Sequence, residues 1–249
     1  MPAAGSLAAC HPTELPALSL AHNQLLDLLP PEERARVLAA CELVTLAPLE
    51  VLCRAGAPTG HVYFPVEGSV SLMTRTAGEG SLQVGLVGRE GMVGVQVSLG
   101  VNAAPLLGQV QDPGRAWRMG SEAFGQHCAN SAALRQILKH YVHVLMCQLA
   151  SSVACLRAHL IGPRLARWLL MCQDRAASSS FTVTHETLAQ VLGVRRVSVT
   201  RAAGVLQTGG FITYSRGKLC VTDRLGLEHA ACACYALDRQ AYDAVLGGA

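Results

Sequence analysis

The sequence predicts an α+β chain: an N-terminal antiparallel β-roll, one long helix, and a C-terminal helix-turn-helix followed by a hairpin wing. Three observations predict it. Between residues 51 and 110, short Val/Leu/Tyr-rich pieces alternate with glycines, the pattern of many short strands joined by turns. From Gln126 to Ile161 neither Gly nor Pro occurs, and apolar residues recur at three- and four-residue steps, as on a helix face. From His185 onward, small Ala189, Gly193 and Val199 fall at the fifth, ninth and fifteenth places of a helix-turn-helix unit.

The 249 residues allow one large domain or two modest ones, and 51% hydrophobic against 15% charged residues can bury a sizeable core. Aromatics are only 4%, so that core rests on Leu, Val and Ala. No uninterrupted apolar run reaches membrane-spanning length, and the first twenty residues lack a basic n-region, so the expected location is the cytoplasm. The ten cysteines sit mostly within apolar patterns and read as reduced core thiols. No P-loop, nucleophile elbow or His-Glu-x-x-His motif occurs, so no catalytic residue is assigned.

Taken in order, residues 22–120 form the first unit. A short helix over 23–29 precedes Pro30-Pro31, whose following Glu32-Glu33 suit the start of a second helix. Short strands follow at Val51-Leu52, Val62-Tyr63-Phe64, Val70-Ser71-Leu72 and Leu82-Gln83-Val84, with further apolar points to Val110. Residues 121–161 form the second unit, one continuous helix. One stripe runs Leu134, Leu138, Tyr141, Leu145, Leu149, Ser152 and Leu156; a second holds Ile137, Val144, Cys147 and Ala154. The expectation is that one stripe covers the roll and the other meets a partner helix in a homodimer. Gly162-Pro163 breaks this helix and opens the third unit, 162–249, in which helix resumes over 164–175 and Ser178-Ser179-Ser180 reads as a loop.

Charge singles out the third unit. Residues 1–150 carry nine basic and eleven acidic residues, whereas 157–224 carry ten basic and three acidic. Such an excess points to an anionic partner, foremost nucleic acid. Within it, Thr184 caps a helix over 186–192, Gly193 permits the positive φ of a tight turn, and a second helix runs over 196–208. The second helix presents Arg195, Arg196, Ser198, Thr200 and Arg201 for base and phosphate contacts. Two short strands around Ser215-Arg216-Gly217-Lys218 then form the wing, with Arg216 and Lys218 suited to phosphate.

On these residues the chain resembles the Crp/Fnr superfamily of bacterial transcription regulators. His61-Val62-Tyr63-Phe64-Pro65 and Gly68-Ser69-Val70-Ser71 are similar to its early roll strands, and Gly88-Arg89-Glu90-Gly91-Met92-Val93-Gly94 to the start of its ligand cassette. Residues 188–196 and Gly209-Gly210-Phe211-Ile212 are similar to its DNA-binding domain. The resemblance implies a cyclic-nucleotide-binding-like roll and a homodimer that reads a near-palindromic duplex and contacts RNA polymerase. Half-sites then lie about 34 Å apart. It also implies that Arg196 and Arg201 are recognition-helix arginines. Where the family often places a base-reading Glu, this chain has Val197, which can meet a thymine methyl but accepts no hydrogen bond.

The same resemblance leaves the effector unassigned and no cofactor legible. Cyclic-nucleotide-binding members use a Glu for the ribose and an Arg-Ser pair for the phosphate. Here the carboxylate is shifted by one place, no Lys or Arg lies between Arg89 and Arg115, and Asn102-Ala103-Ala104-Pro105 occupies the phosphate-binding place. Arg89 and Glu90 are the effector-pocket candidates. The alternative reading is a regulator whose DNA binding requires a cyclic nucleotide or a haem or redox signal, with His11, His61 and His127 as candidate haem ligands. Cys232 and Cys234, near Cys220 and His229, are read as incidental thiols rather than metal ligands, because alternate residues do not share a helix face.

Overall fold

The computed structural model describes residues 22–75, 81–176, 180–215 and 217–247. The sequence-based readings of His11, Arg216 and the first two serines of the Ser178-Ser179-Ser180 loop lie outside the described residues.

The chain opens with α1 (Gln24–Asp27) and α2 (Pro31–Ala39). Asn23 caps α1 by accepting from the Leu26 amide, and its Nδ2 donates to the carbonyls of Pro65 (2.8 Å) and Gly91 (2.9 Å), which ties the helix to the roll. The roll is built from β1 (Glu42–Leu46), β2 (Val51–Cys53), β3 (His61–Arg75), β4 (Ser81–Val87) and β5 (Leu107–Gly120), all antiparallel. The strand order is β1-β5-β3-β4, and β2 also pairs with β5.

Two pieces expected to be separate strands, around Val62 and Val70, are one strand of fifteen residues. Gly68, read as a turn, sits instead at a run of bulges between β3 and β5. Its φ is +78°, and a Cβ there would strike the carbonyls of Asp112 and Pro113. The glycine therefore bends the strand pair without ending it. Val62, Phe64, Val70, Leu72, Val87, Val93 and Val110 are buried along the roll.

The long helix is two helices. α3 (Ser121–Asn130) ends at Ser131, whose backbone is extended, and α4 (Ala132–Ala158) starts after it. Ser131 caps α4 by accepting from the Leu134 amide at 2.9 Å, and its hydroxyl also bonds Glu33. Absence of Gly and Pro does not guarantee continuity where a serine can satisfy the first free amides. The next break falls at His159 and Leu160, both extended, and α5 (Ile161–Arg175) takes Gly162 and Pro163 into its first turn. Pro163 thus starts a helix rather than splitting one.

The two predicted stripes of α4 are also reassigned. Leu134, Leu138, Tyr141 and Ser152 of the first stripe are buried, and so is Val144 of the second, so neither stripe stays open as a whole. The open apolar residues of α4 and the residue pair after it are Met146, Val153 and Leu160, seven apart, with half-buried Leu149 and Leu156 between them in alternating steps of three and four. Met146, Val153 and Leu160 are 63%, 62% and 81% exposed. By length and composition alone α4 could cross a membrane, but its inner face is packed against the roll and the C-terminal helix.

The C-terminal unit contains β6 (Ser180–Thr182), α6 (His185–Leu192), α7 (Arg196–Thr208), β7 (Ile212–Ser215), β8 (Lys218–Val221), α8 (Arg224–Ala230) and α9 (Cys234–Leu246). Its sheet has the order β6-β8-β7; Ser180, read as part of a loop, begins β6. Its core gathers Leu165, Leu169, Leu188, Val199, Ala203 and Leu219, and Leu86 of the roll packs into the same cluster.

Candidate nucleic-acid interface

α6 begins because Thr184 accepts from the Thr187 amide at 3.0 Å, with Glu186 in the first turn. It ends at Gly193, whose φ of +62° and ψ of +41° lie in the left-handed region. Ala189 is buried where α6 and α7 cross, and Val199 is fully buried beneath them. The small residue, the glycine and the apolar anchor therefore stand where the sequence spacing placed them.

α7 buries Val199, Ala202, Ala203 and Leu206. The opposite face leaves Arg195, Arg196, Thr200 and Arg201 exposed, as well as Val197 (54%) and Val205 (71%). Ser198 is half-buried in the first turn. Thr200 is already engaged: its hydroxyl lies 3.0 Å from His185 Nδ1 and donates to the Arg196 carbonyl at 3.2 Å. In the wing, Lys218 is exposed and pairs in register with Ser215 beside Gly217, whose φ is +81°.

Sequence reasoning missed the brace between these parts. The His185 ring stacks on Tyr214 of β7, with centroids 4.6 Å apart and planes 11° from parallel. Tyr214 in turn donates its hydroxyl to the Val183 carbonyl at 2.9 Å. Burial, reinforced by the positive charge of Arg196, lowers the His185 pKa below its ordinary value, so the ring stays neutral at neutral pH. One neutral imidazole thus joins the first helix, the second helix and the wing. His185 opens the helix-turn-helix count, but its stacking partner lies beyond any local spacing rule.

Arg89 and Glu90 line a cleft of about 280 Å³ at the junction of the roll, α4, α5 and α9, together with Tyr141, Gln148, Arg175 and Arg224. Glu90 is committed there to the buried Arg175, with its Oε1 2.8 Å from Arg175 Nε and 2.7 Å from Nη2. It holds the roll to the last residue of α5. In the segment 102–105, expected from the resemblance at the phosphate-binding place, the Ala104 amide already donates to the Ala57 carbonyl at 3.0 Å. His61 is exposed at the start of β3 and His127 is half-buried in α3.

The cysteines rearrange most. Cys220 lies in β8 and His229 in α8, and neither joins Cys232 and Cys234; those two meet Cys155 and His159 at the end of α4.

Residues 163–230 match the family described as the Crp-like helix-turn-helix domain. No curated protein matches the chain. Among solved structures, FixK2 from Bradyrhizobium japonicum superposes with a TM-score of 0.66 at 15% identity, over 78% of this chain and 98% of its own. The c-di-GMP-responsive global regulator CLP of Xanthomonas campestris gives 0.62 at 16%, over 77% and 99%. A Crp/Fnr-family transcriptional regulator from Thermus thermophilus gives 0.60 at 21%, over 76% and 98%.

Proposed function

We propose that this chain, which carries a Crp-like helix-turn-helix domain on the Crp/Fnr fold, is a homodimeric, sequence-specific DNA-binding transcription regulator. The observation that carries the proposal is the composition of one helix face. α7 turns Arg196, Val197, Arg201 and Val205 outward together, with Lys218 of the wing also exposed. Arginines supply bidentate donors for guanine, and valines supply apolar contact for thymine methyls. Such a face suits the floor of a major groove, while Lys218 suits the flanking phosphates.

The dimer rests on the open row of α4. Alternating steps of four and three residues are the repeat of a coiled-coil seam, and a helix of 27 residues is about 40 Å long. The row is self-complementary under a two-fold axis, as a symmetric interface requires. Two recognition helices on one axis then address two half-sites about 34 Å apart. Two of the structures that share this fold, CLP and the Thermus thermophilus protein, are described as regulators, and CLP as responsive to c-di-GMP. RNA polymerase is the expected protein partner, in keeping with the family.

The test is selection of sites from random duplex DNA by the purified full chain, followed by titration of variants. Enrichment of a palindrome is the expected result. Arg196→Ala and Arg201→Ala each cost about 1–3 kcal/mol on the selected site and relax one base position. Lys218→Ala weakens selected and random DNA alike and flattens the salt dependence by about one unit of slope. Equal losses on selected and random DNA for both arginine variants would remove their role as base readers.

A further inference from the structure

We propose that Cys155, His159, Cys232 and Cys234 bind one Zn²⁺ tetrahedrally and that the ion clamps the break between α4 and α5. One ligand atom from each residue lies within 4.8 Å of all the others. Cys155 Sγ is 3.4 Å from Cys232 Sγ, and Cys234 Sγ is 3.7 Å from His159 Nδ1. Bonds of about 2.3 Å to sulfur and about 2.0–2.1 Å to nitrogen, set tetrahedrally, separate neighbouring ligand atoms by roughly 3.5–3.8 Å. Both pairs therefore stand close to the spacing of a loaded site.

The backbone explains why the four converge. Cys155 and His159 are four residues apart and share one face at the end of α4, where the His159 amide donates to the Cys155 carbonyl at 3.1 Å. Cys232 precedes α9 and Cys234 is its first residue. The objection to Cys-x-Cys holds inside a helix, but this pair straddles a helix start and only one member is helical. The Cys232 amide donates to the Pro163 carbonyl at 3.3 Å, which fixes the turn against the first turn of α5.

Burial and charge favour the same assignment. The three thiols are 2%, 7% and 5% exposed and form a buried cluster of their own, apart from the apolar cores. Their burial is therefore not that of cysteines filling an aliphatic core. His159 is only half-buried, leaving a way in for the ion. Three thiolates and one neutral imidazole around Zn²⁺ carry a net charge of −1, and Arg164 and Arg167 line the same small pocket as Cys155. Thiolate-rich tetrahedral sites select zinc over magnesium, calcium or manganese. Loading displaces three protons, one from each thiol, and changes no oxidation state.

Cys155 lies in the last turn of α4, which carries the proposed seam, and His159 in the break itself. Cys232 and Cys234 belong to the segment that leads into α9, and the Cys232 amide ties that segment to the first turn of α5. A closed site with four protein ligands has no open coordination position and is structural.

The experiment uses the full chain purified under reducing conditions without chelator. Elemental analysis is expected to find about one zinc per chain. Cobalt exchanged into the site is expected to give the intense visible bands of tetrahedral cobalt with thiolate-to-metal charge transfer in the near ultraviolet. Cys234→Ser is expected to lose the zinc, whereas His159→Cys keeps it with a fourth thiolate. If Cys234→Ser fails to fold, chelator-treated wild-type protein titrated with cobalt supplies the same readout. Substoichiometric zinc with no tetrahedral cobalt spectrum would overturn the proposal. So would a Cys155–Cys232 disulfide in the freshly prepared reduced protein, or zinc content unchanged in both Cys155→Ser and Cys234→Ser.

Discussion

The substitution Met146→Glu tests whether the open row of α4 is a dimer seam. Met146 is 63% exposed in the single chain. Full burial of such a side chain is worth about 1.5–3 kcal/mol, so burying its remaining two-thirds or so contributes about 1–2 kcal/mol. A two-fold interface holds the residue twice, which doubles the loss to about 2–4 kcal/mol per dimer. That is roughly a 30- to 700-fold rise in the dimer dissociation constant, before any cost of pressing two carboxylates together. Sedimentation equilibrium over a concentration series measures it directly. Ala154→Glu is the control, because Ala154 is exposed on α4 but lies off the open row, and it should leave the constant within about threefold. A dimer undisturbed by Met146→Glu, or equally disturbed by Ala154→Glu, would refute the seam.

Three further outcomes follow from groups placed by the fold. Glu90 and Arg175 are 18% and 11% exposed at the side chain, so Glu90→Leu or Arg175→Met alone should cost about 3–5 kcal/mol in denaturant unfolding. The double variant should cost far less than the two together; additivity within about 0.5 kcal/mol would show that the pair is not coupled. His185 has a folded pKa below its ordinary 6.5, so as pH falls through that value the unfolded chain takes up the proton first. Its contribution is complete above about pH 6.5 and is lost on acidification, and the melting temperature should fall more in wild type than in His185→Gln between about pH 7.5 and 5, from roughly one unit above the ordinary value to one and a half below it. Asn23→Ala removes the cap of α1 and leaves the carbonyls of Pro65 and Gly91 without their donor, at about 2–4 kcal/mol by the same unfolding assay.

What the sequence made legible divides by the range of the interaction. The helix-turn-helix could be read because Ala189, Gly193 and Val199 act within one short stretch, and α7 and the wing strands fall where that spacing put them. The roll was legible as a class but not strand by strand, since a glycine at a bulge and a glycine at a turn look alike until the partner strand is known. Ser131 breaks the long helix by capping α4, and nothing local distinguishes a capping serine from one inside a helix. Which stripe of α4 stays open depends on where the roll and α9 pack, and no periodicity contains that. The same holds for Cys155 and His159, whose partners lie 77 and 75 residues further along, and for Glu90, whose partner lies 85 residues away.

These long-range contacts converge on α5. Its last residue, Arg175, is held to the roll by Glu90, and its first turn is held through the Pro163 carbonyl to Cys232. Between the two ends, the Trp168 indole donates to Gln83 of β4 at 3.0 Å. α5 packs directly on α7, and Gln190 of α6 donates to Ser81 of β4 at 2.9 Å. α7 therefore inherits its position from α5 and β4, while the proposed two-fold axis is set by α4. A helix of fifteen residues is about 22 Å long. Releasing one end by about 2 Å while the other stays fixed turns it by roughly 5°, and α7 turns with it. Two such rotations, related by symmetry, change the separation and tilt of the recognition helices without altering a single base-facing side chain. In the proposed regulator, base preference and half-site geometry thus fall to different residues: Arg196, Val197 and Arg201 for the first, and Glu90, Arg175 and the thiol cluster for the second.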